Sequence, residues 1–153
     1  MTYTISFESN PSQKDLQVLD DGIIEYAAQQ KGQDPIELFS FFIRDKNNKI
    51  MGGCGGEMMY GHLYIGHLWI AASLRGQGYG RALMKAVEEL ALKNKCNFMA
   101  VNTFDWEALD FYKRFGFFVE FERHGFLHNS VFYYLRKNIS PELIVYIPEN
   151  KAK

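Results

Sequence analysis

The apolar positions of this sequence change period several times, and each change marks an element. Tyr3, Ile5 and Phe7 alternate with Thr4 and Ser6, the period of a strand, so residues 3–8 are expected to open the fold as a first strand. Asn10-Pro11-Ser12 breaks that pattern. Ser12 is placed to N-cap a helix, with Asp15 three residues on completing a weak capping box. Leu16, Leu19, Ile23, Ile24 and Ala27 then recur at helical spacing, and Gly22 inside the run is a point at which that helix can divide. A polar stretch from Gln29 to Pro35 reads as a loop.

Residues 37–44 form a strand rich in aromatics (Phe39, Phe41, Phe42), 45–49 a polar turn and 50–59 a second strand, together a hairpin. Gly52-Gly53 and Gly55-Gly56 lie in the second strand. Glycine weakens a strand unless something approaches closely, which predicts a bulge or a ligand-facing wall. Tyr60-Gly61-His62 turns the backbone into a central strand, 63–71. After a helix carrying Leu83, Ala86, Val87, Leu90 and Ala91 on one face, residues 97–102 read as a strand parallel to the central one. Residues 118–123 and 130–136 have hairpin character around Gly125. The resulting class is α/β: a mixed, mostly antiparallel, twisted sheet flanked by helices in a single domain over 1–153, with a core of 3–137 and a tail of 138–153. The apolar run 143–147 in the tail is expected to dock on the body, with a homodimer contact as the alternative.

Between the central strand and the long helix, Gly76, Gly78 and Gly80 alternate with larger residues and are bracketed by Arg75 and Arg81. Strand, glycine-rich turn, helix start is the order that builds an anion site. The first N–H groups of a helix lack internal partners, the macrodipole places positive charge there, and glycine admits a bulky anion close to the backbone. The arginines can add charge-assisted hydrogen bonds. A P-loop needs Lys-Ser or Lys-Thr where Arg81-Ala82 stands, and the mid-sequence G-x-G-x-G run does not fit a dinucleotide fingerprint.

What fits is Arg75-Gly76-Gln77-Gly78-Tyr79-Gly80, which resembles the Arg-x-x-Gly-x-Gly signature of the GCN5-related N-acetyltransferases (GNAT). About 30 residues on, the segment from Asp105 to Phe117 resembles the family's second conserved block through Ala108, Phe111-Tyr112 and Gly116-Phe117, with the expected strand between the two. Asp105 is a good N-cap in type and Gly116 a helix stop. The family often has Asn where Asp105 stands. The resemblance implies acetyl-coenzyme A as co-substrate, its pyrophosphate on the backbone of the glycine loop. The cofactor contacts it implies are Leu68, Trp69, Ile70, Arg75, Gly76, Gln77, Gly78, Tyr79, Gly80, Arg81, Asn102, Asp105 and Tyr112. It places acceptor specificity in the first helical segment.

Composition narrows the picture further. The apolar fraction of 47% and charged fraction of 23% are those of an ordinary globular protein, and a net charge of −1 argues against a general nucleic-acid partner. No apolar run reaches membrane-spanning length and no signal segment is evident, so a cytoplasmic protein is expected. Cys54 and Cys96 are too few and too isolated for a disulfide framework or a zinc site, so no metal is expected.

Amine acetylation sets its own requirements. The amine must be neutral although an alkyl ammonium has a pKa of about 10.4, so a base, directly or through water, takes its proton. The oxyanion needs an N–H donor, which the resemblance assigns to the central strand near Ile70. The leaving thiolate, with a pKa near about 8.5, benefits from a proton donor. Tyr112 occupies the position of the family's general acid; read from its neighbours alone it is a core aromatic beside Phe111 and Phe115. Glu57 and His67 are candidate bases, His67 because histidine titrates near neutrality. A surface carboxylate, a hydrogen-bonded core histidine, a water relay or no dedicated base are the alternatives. Trp69 and Trp106 read most simply as packing residues. The expected reaction is acetyl transfer to a primary amine, of a small molecule or, alternatively, of a peptide or protein. A non-catalytic acyl-CoA-binding sensor module is the competing class.

Overall fold

The computed structural model describes residues 2–140, so the apolar run 143–147 lies outside the described residues. The protein divides at Ile36/Glu37 into two compact units, described in turn.

In the first, α1 runs from Gln13 to Lys31 as one helix. Ser12 in extended conformation caps it: its Oγ accepts from Asp15 N (3.1 Å) and donates to Asp15 Oδ2 (2.6 Å), so the expected N-cap forms, while the Asp15 carboxylate takes the Ser12 hydroxyl in place of the backbone N–H of a full capping box. Gly32, at φ 62°, ends it, its N–H bonded to Ala28 O. Gly22 does not divide the helix; a single glycine lowers helical stability by only about 1 kcal/mol, which two good caps and the surrounding ladder outweigh. Residues 3–8 do not form a strand. Tyr3, Ile5 and Phe7 are 88%, 97% and 91% exposed, and the segment joins no ladder among the described residues. Alternation prepares a strand but only a partner's backbone hydrogen bonds make one.

The second unit is a six-stranded sheet in the order β1-β2-β3-β4-β6-β5. β1 (Glu37–Arg44) and β2 (Ile50–Met59) form the expected hairpin; Asp45 closes its turn by accepting from Asn47 N and Lys49 N. β2 pairs antiparallel with β3 (His62–Ile70), and β3 pairs parallel with β4 (Phe98–Phe104) by way of α2 (Tyr79–Lys93). A short helix α3 (Leu109–Arg114) leads to β5 (Phe118–Arg123), and β6 (Phe132–Asn138) fits antiparallel between β5 and β4. One parallel pairing among five makes this the mixed, mostly antiparallel sheet expected.

The core lies on one face of this sheet. Leu63, Met99 and Leu135 from the strands meet Met84 and Val87 of α2, all essentially inaccessible. The helical spacing of the sequence predicts this stripe, with Ala91 buried and Ala86 at its margin. Lys137 Nζ closes the edge, 2.8 Å from Glu88 Oε1 and over the Phe115 ring.

A bulge in β3 positions the site. His67 pairs with Gly55 and Ile65 with Gly56, so Gly66 is an extra residue without a partner. The backbones close tightly here: a Cβ on Gly56 would run into Tyr64 O. The glycine-rich strand is thus one side of the bulge that its composition predicts. The bulge also resets the alternation, so Leu63 and Ile65 face the core before it and Leu68 and Ile70 after it.

Candidate active site

β3 ends at Ile70, a short 3-10 turn covers Ala72–Leu74, and the glycine loop follows. Arg75 Nε donates to Ile70 O (3.0 Å) and Gln77 Nε2 to Ser73 O (2.7 Å), so both residues brace the loop from within. Gly76 (φ 74°) and Gly78 (φ 88°) take left-handed conformations that a Cβ would strain, with nothing within 4 Å of either position. Gly78 N-caps α2 with no side-chain hydrogen bond, and no acidic residue stands in the first turn. The opening N–H groups of Tyr79, Gly80 and Arg81 are therefore left to an external acceptor, and Arg81 is exposed beside them. Gly80 has a different reason. A Cβ there would lie 3.3 Å from the Phe111 ring and 3.4 Å from Ile70 Cδ1, so glycine brings α2 against α3 and the end of β3.

β3 and β4 pair only from His62↔Phe98 to Ile65↔Val101. Beyond that point they part, and a cleft of about 190 Å³ opens between them. Gly66, His67 and Leu68 line it from β3, and Asn102 and Thr103 from β4. Tyr112 and Ala108 close it. Tyr112 is 4% exposed and packs edge-on against Phe111 and Phe117. None of the hydrogen bonds among the described residues uses its hydroxyl. Burial pushes its pKa above the ordinary tyrosine range, with smaller contributions from Cys54, Glu107 and Tyr64. The cleft thus presents a protonated phenol.

Several of the residues singled out in the sequence are brought together here: His67, Leu68, Asn102 and Tyr112 line the cleft, and Trp69 and Ile70 follow as the last residues of β3. Others stand elsewhere. Glu57 lies on the opposite sheet face from the core, paired across the ladder with Tyr64. Burial, and then Glu57, push the Tyr64 hydroxyl upward, offset by a hydrogen bond from Asn102 Nδ2 (3.2 Å). The Trp69 indole is not a packing group; the residue is 55% exposed on that same outer face. Trp106 is 68% exposed, stacked on Phe104.

Asp105 is not the N-cap of α3, which begins four residues later at Leu109. Its N–H donates to Val131 O and its Oδ1 accepts from Val131 N, so it fastens the segment to the approach of β6. Thr103 and Glu107, which the motif does not mark, instead hold the turn that leads into α3, whose own N-cap, Ala108, makes no side-chain capping bond. Buried Thr103 accepts from Ala108 N (3.2 Å) and bonds Glu107 Oε2 (3.3 Å), which also accepts from Phe104 N (2.9 Å). At the other end, Gly116 N bonds Lys113 O and Phe117 N bonds Tyr112 O, a Schellman motif with Gly116 at φ 96°.

An extended cleft between two rigid strands, an open helix N-terminus at its mouth and a neutral phenol on its wall suit a phosphate-bearing thioester. Comparison with known proteins decides the family. Residues 6–117 match the model of the acetyltransferase (GNAT) family. The protein belongs to that family. Acetyltransferase Atu2258 of Agrobacterium fabrum is 31% identical over 97 residues, 63% of this protein and 71% of its own length. Blasticidin-S acetyltransferase of Streptomyces morookaense is 30% identical over 84 residues, 54% of this protein and 62% of its own length. The solved structure of a candidate acetyltransferase from Agrobacterium tumefaciens superposes with a TM-score of 0.81 at 25% identity, covering 90% of this protein and 99% of its own length. This GNAT protein is an acetyl-CoA-dependent N-acetyltransferase.

Proposed function

We propose that this GNAT enzyme acetylates the primary amine of a small molecule by direct attack on the thioester of acetyl-CoA. One observation carries the reading: the cleft beside the glycine loop meets a second hollow, on the outer sheet face, at Gly66 and His67. Cofactor and acceptor thus approach one point from two sides. That a relative acts on blasticidin-S supports a small-molecule acceptor.

The acetyl-CoA pyrophosphate takes the free N–H groups at the start of α2, with Arg81 beside them. The thioester lies between β3 and β4. The amine nitrogen forms a bond to the carbonyl carbon, the oxyanion takes an N–H of β3 near Ile70, and the carbon–sulfur bond breaks as the carbonyl re-forms. The amine loses one proton and the coenzyme A thiolate gains one, giving amide and free thiol. Tyr112 donates to the sulfur; with its pKa raised, it carries that proton throughout the neutral and mildly alkaline range. Of the two candidate bases, His67 lines both spaces and Glu57 only the outer hollow, which favours His67 for the amine proton.

The test is acceptor-dependent release of free thiol. The wild-type protein releases it, and Tyr112→Phe lowers kcat by about 10²-fold or more while still binding acetyl-CoA. Acetyl-CoA binding with no release across a broad amine panel would instead identify a sensor module.

A further inference from the structure

Three successive rows of residues lie side by side on the outer face of β1, β2 and β3. The ladder registers place Phe42, Gly53 and Trp69 in one row, Ser40, Gly55 and His67 in the next, and Leu38, Glu57 and Tyr64 in the third. The middle residue of the first two rows is glycine, so these rows have walls on β1 and β3 and a floor of bare backbone. The result is a trench along β2, seen as two adjoining hollows of about 240 and 340 Å³ that share Ser40, Gly55 and His67. One end is aromatic on both sides, with Phe42 54% and Trp69 55% exposed. The other end holds the carboxylate of Glu57 and meets the cofactor cleft at Gly66 and His67.

From this placement we infer that the acceptor is a monoamine with a flat apolar body, its ring held between Phe42 and Trp69 and its amine directed toward Glu57 and His67. The inference rests on the acetyltransferase reading and names its substrate class. Neighbouring strands are about 4.8 Å apart, so walls two strands apart stand about 9–10 Å from each other. A ring in contact with both needs about 7–8 Å, so it fits with its faces against the walls. Any residue larger than glycine at positions 53 and 55 would fill that space. Charge gives the polarity. The guanidinium of Arg44 lies 5.1 Å from the Phe42 ring, so the aromatic end is already served by a cation and disfavours a second ammonium. Glu57 supplies the carboxylate at the opposite end. A polyamine would have to place a positive charge beside Arg44; an aryl-alkyl monoamine does not.

The experiment uses the full-length protein carrying Trp106→Phe, so that Trp69 is the remaining tryptophan and reports on the trench itself. Nitrophenethylamine, whose ring quenches indole emission on stacking, is titrated with coenzyme A present, and turnover of phenethylamine and of spermidine is followed by thiol release. Saturable quenching is expected. Phe42→Ala raises the apparent Kd of nitrophenethylamine and the KM of phenethylamine about tenfold, with Phe42→Leu intermediate, and spermidine has the higher KM of the two amines. Absence of quenching, a Phe42 series that leaves Kd and KM unchanged, or preferred turnover of spermidine would overturn the assignment. The two readings separate cleanly. Quenching without thiol release contradicts catalysis and leaves the trench, whereas spermidine turnover without quenching contradicts the trench and leaves the enzyme.

Discussion

Ile65 and Val101 are the last paired residues of the parallel ladder between β3 and β4. Beyond them each strand is still held on its other side, β3 by β2 as far as Ile70↔Gly52 and β4 by β6 as far as Phe104↔Phe132. Two rigid strands therefore present their facing edges, with unpaired backbone groups, to whatever enters between them. An open edge of this kind pairs with an extended ligand bearing amide groups. The glycine loop lies at the far end of β3, so the same ligand reaches the helix N-terminus with its phosphates.

The bulge that follows Ile65 is predicted to be the least tolerant point of the sheet. Gly56→Ala brings a methyl group into Tyr64 O, a backbone atom that cannot turn aside, and is expected to destabilise by about 3 kcal/mol. Gly22→Ala offers the contrast. Nothing lies within 4 Å of that position in the middle of α1, and the change is expected to stabilise by about 0.5–1 kcal/mol. Urea midpoints of the two variants check both signs.

Buried Tyr112 predicts how stability depends on alkaline pH. Its pKa is raised by folding, so its contribution is fully present below the unfolded value of about 10 and is lost as pH rises toward the folded value. Across that window this one group lowers unfolding free energy by about 1.4 kcal/mol per pH unit. Urea titrations between pH 8 and 11 should show the decline, and Tyr112→Phe should make it shallower. Parallel curves for the two proteins would contradict the burial of this hydroxyl.

The thiols are predicted to be silent in the folded protein. Burial pushes the Cys54 thiol up to about 12, and Cys96 is raised for the same reason. At pH 8 neither should react with a disulfide reagent within minutes, whereas both should in denaturant. A native thiol reacting at the rate of the unfolded protein would place it at the surface.

Elements governed by local rules were legible in the sequence. The hairpin 37–59 follows from alternation and a polar turn, α2 from its apolar stripe, and the stop at Gly116 from the need for positive φ. What escaped depends on partners distant in sequence. Residues 3–8 alternate like a strand but have no ladder to join. Asp105 has the chemistry of a cap, yet its carboxylate is claimed by Val131, 26 residues on. The face taken by Trp69 cannot be found by counting from Leu63, because Gly66 shifts the parity between them. The signature motif marks the position of the glycine loop but not the separate task of Gly80, which depends on the approach of Phe111.

The central claim is that acetyl-CoA occupies the opening beyond Ile65 and Val101, with its phosphates on the loop at Gly76 and Gly78. Calorimetric titration of acetyl-CoA into the wild-type protein and a Gly78→Val variant tests it most directly. The variant must bear a β-branched residue at φ 88°, which displaces the loop while leaving the core untouched. One-to-one binding in the micromolar range, weakened about tenfold or more in the variant, is the predicted result. A folded wild-type protein that produces no heat, or a variant that binds as tightly, would contradict it.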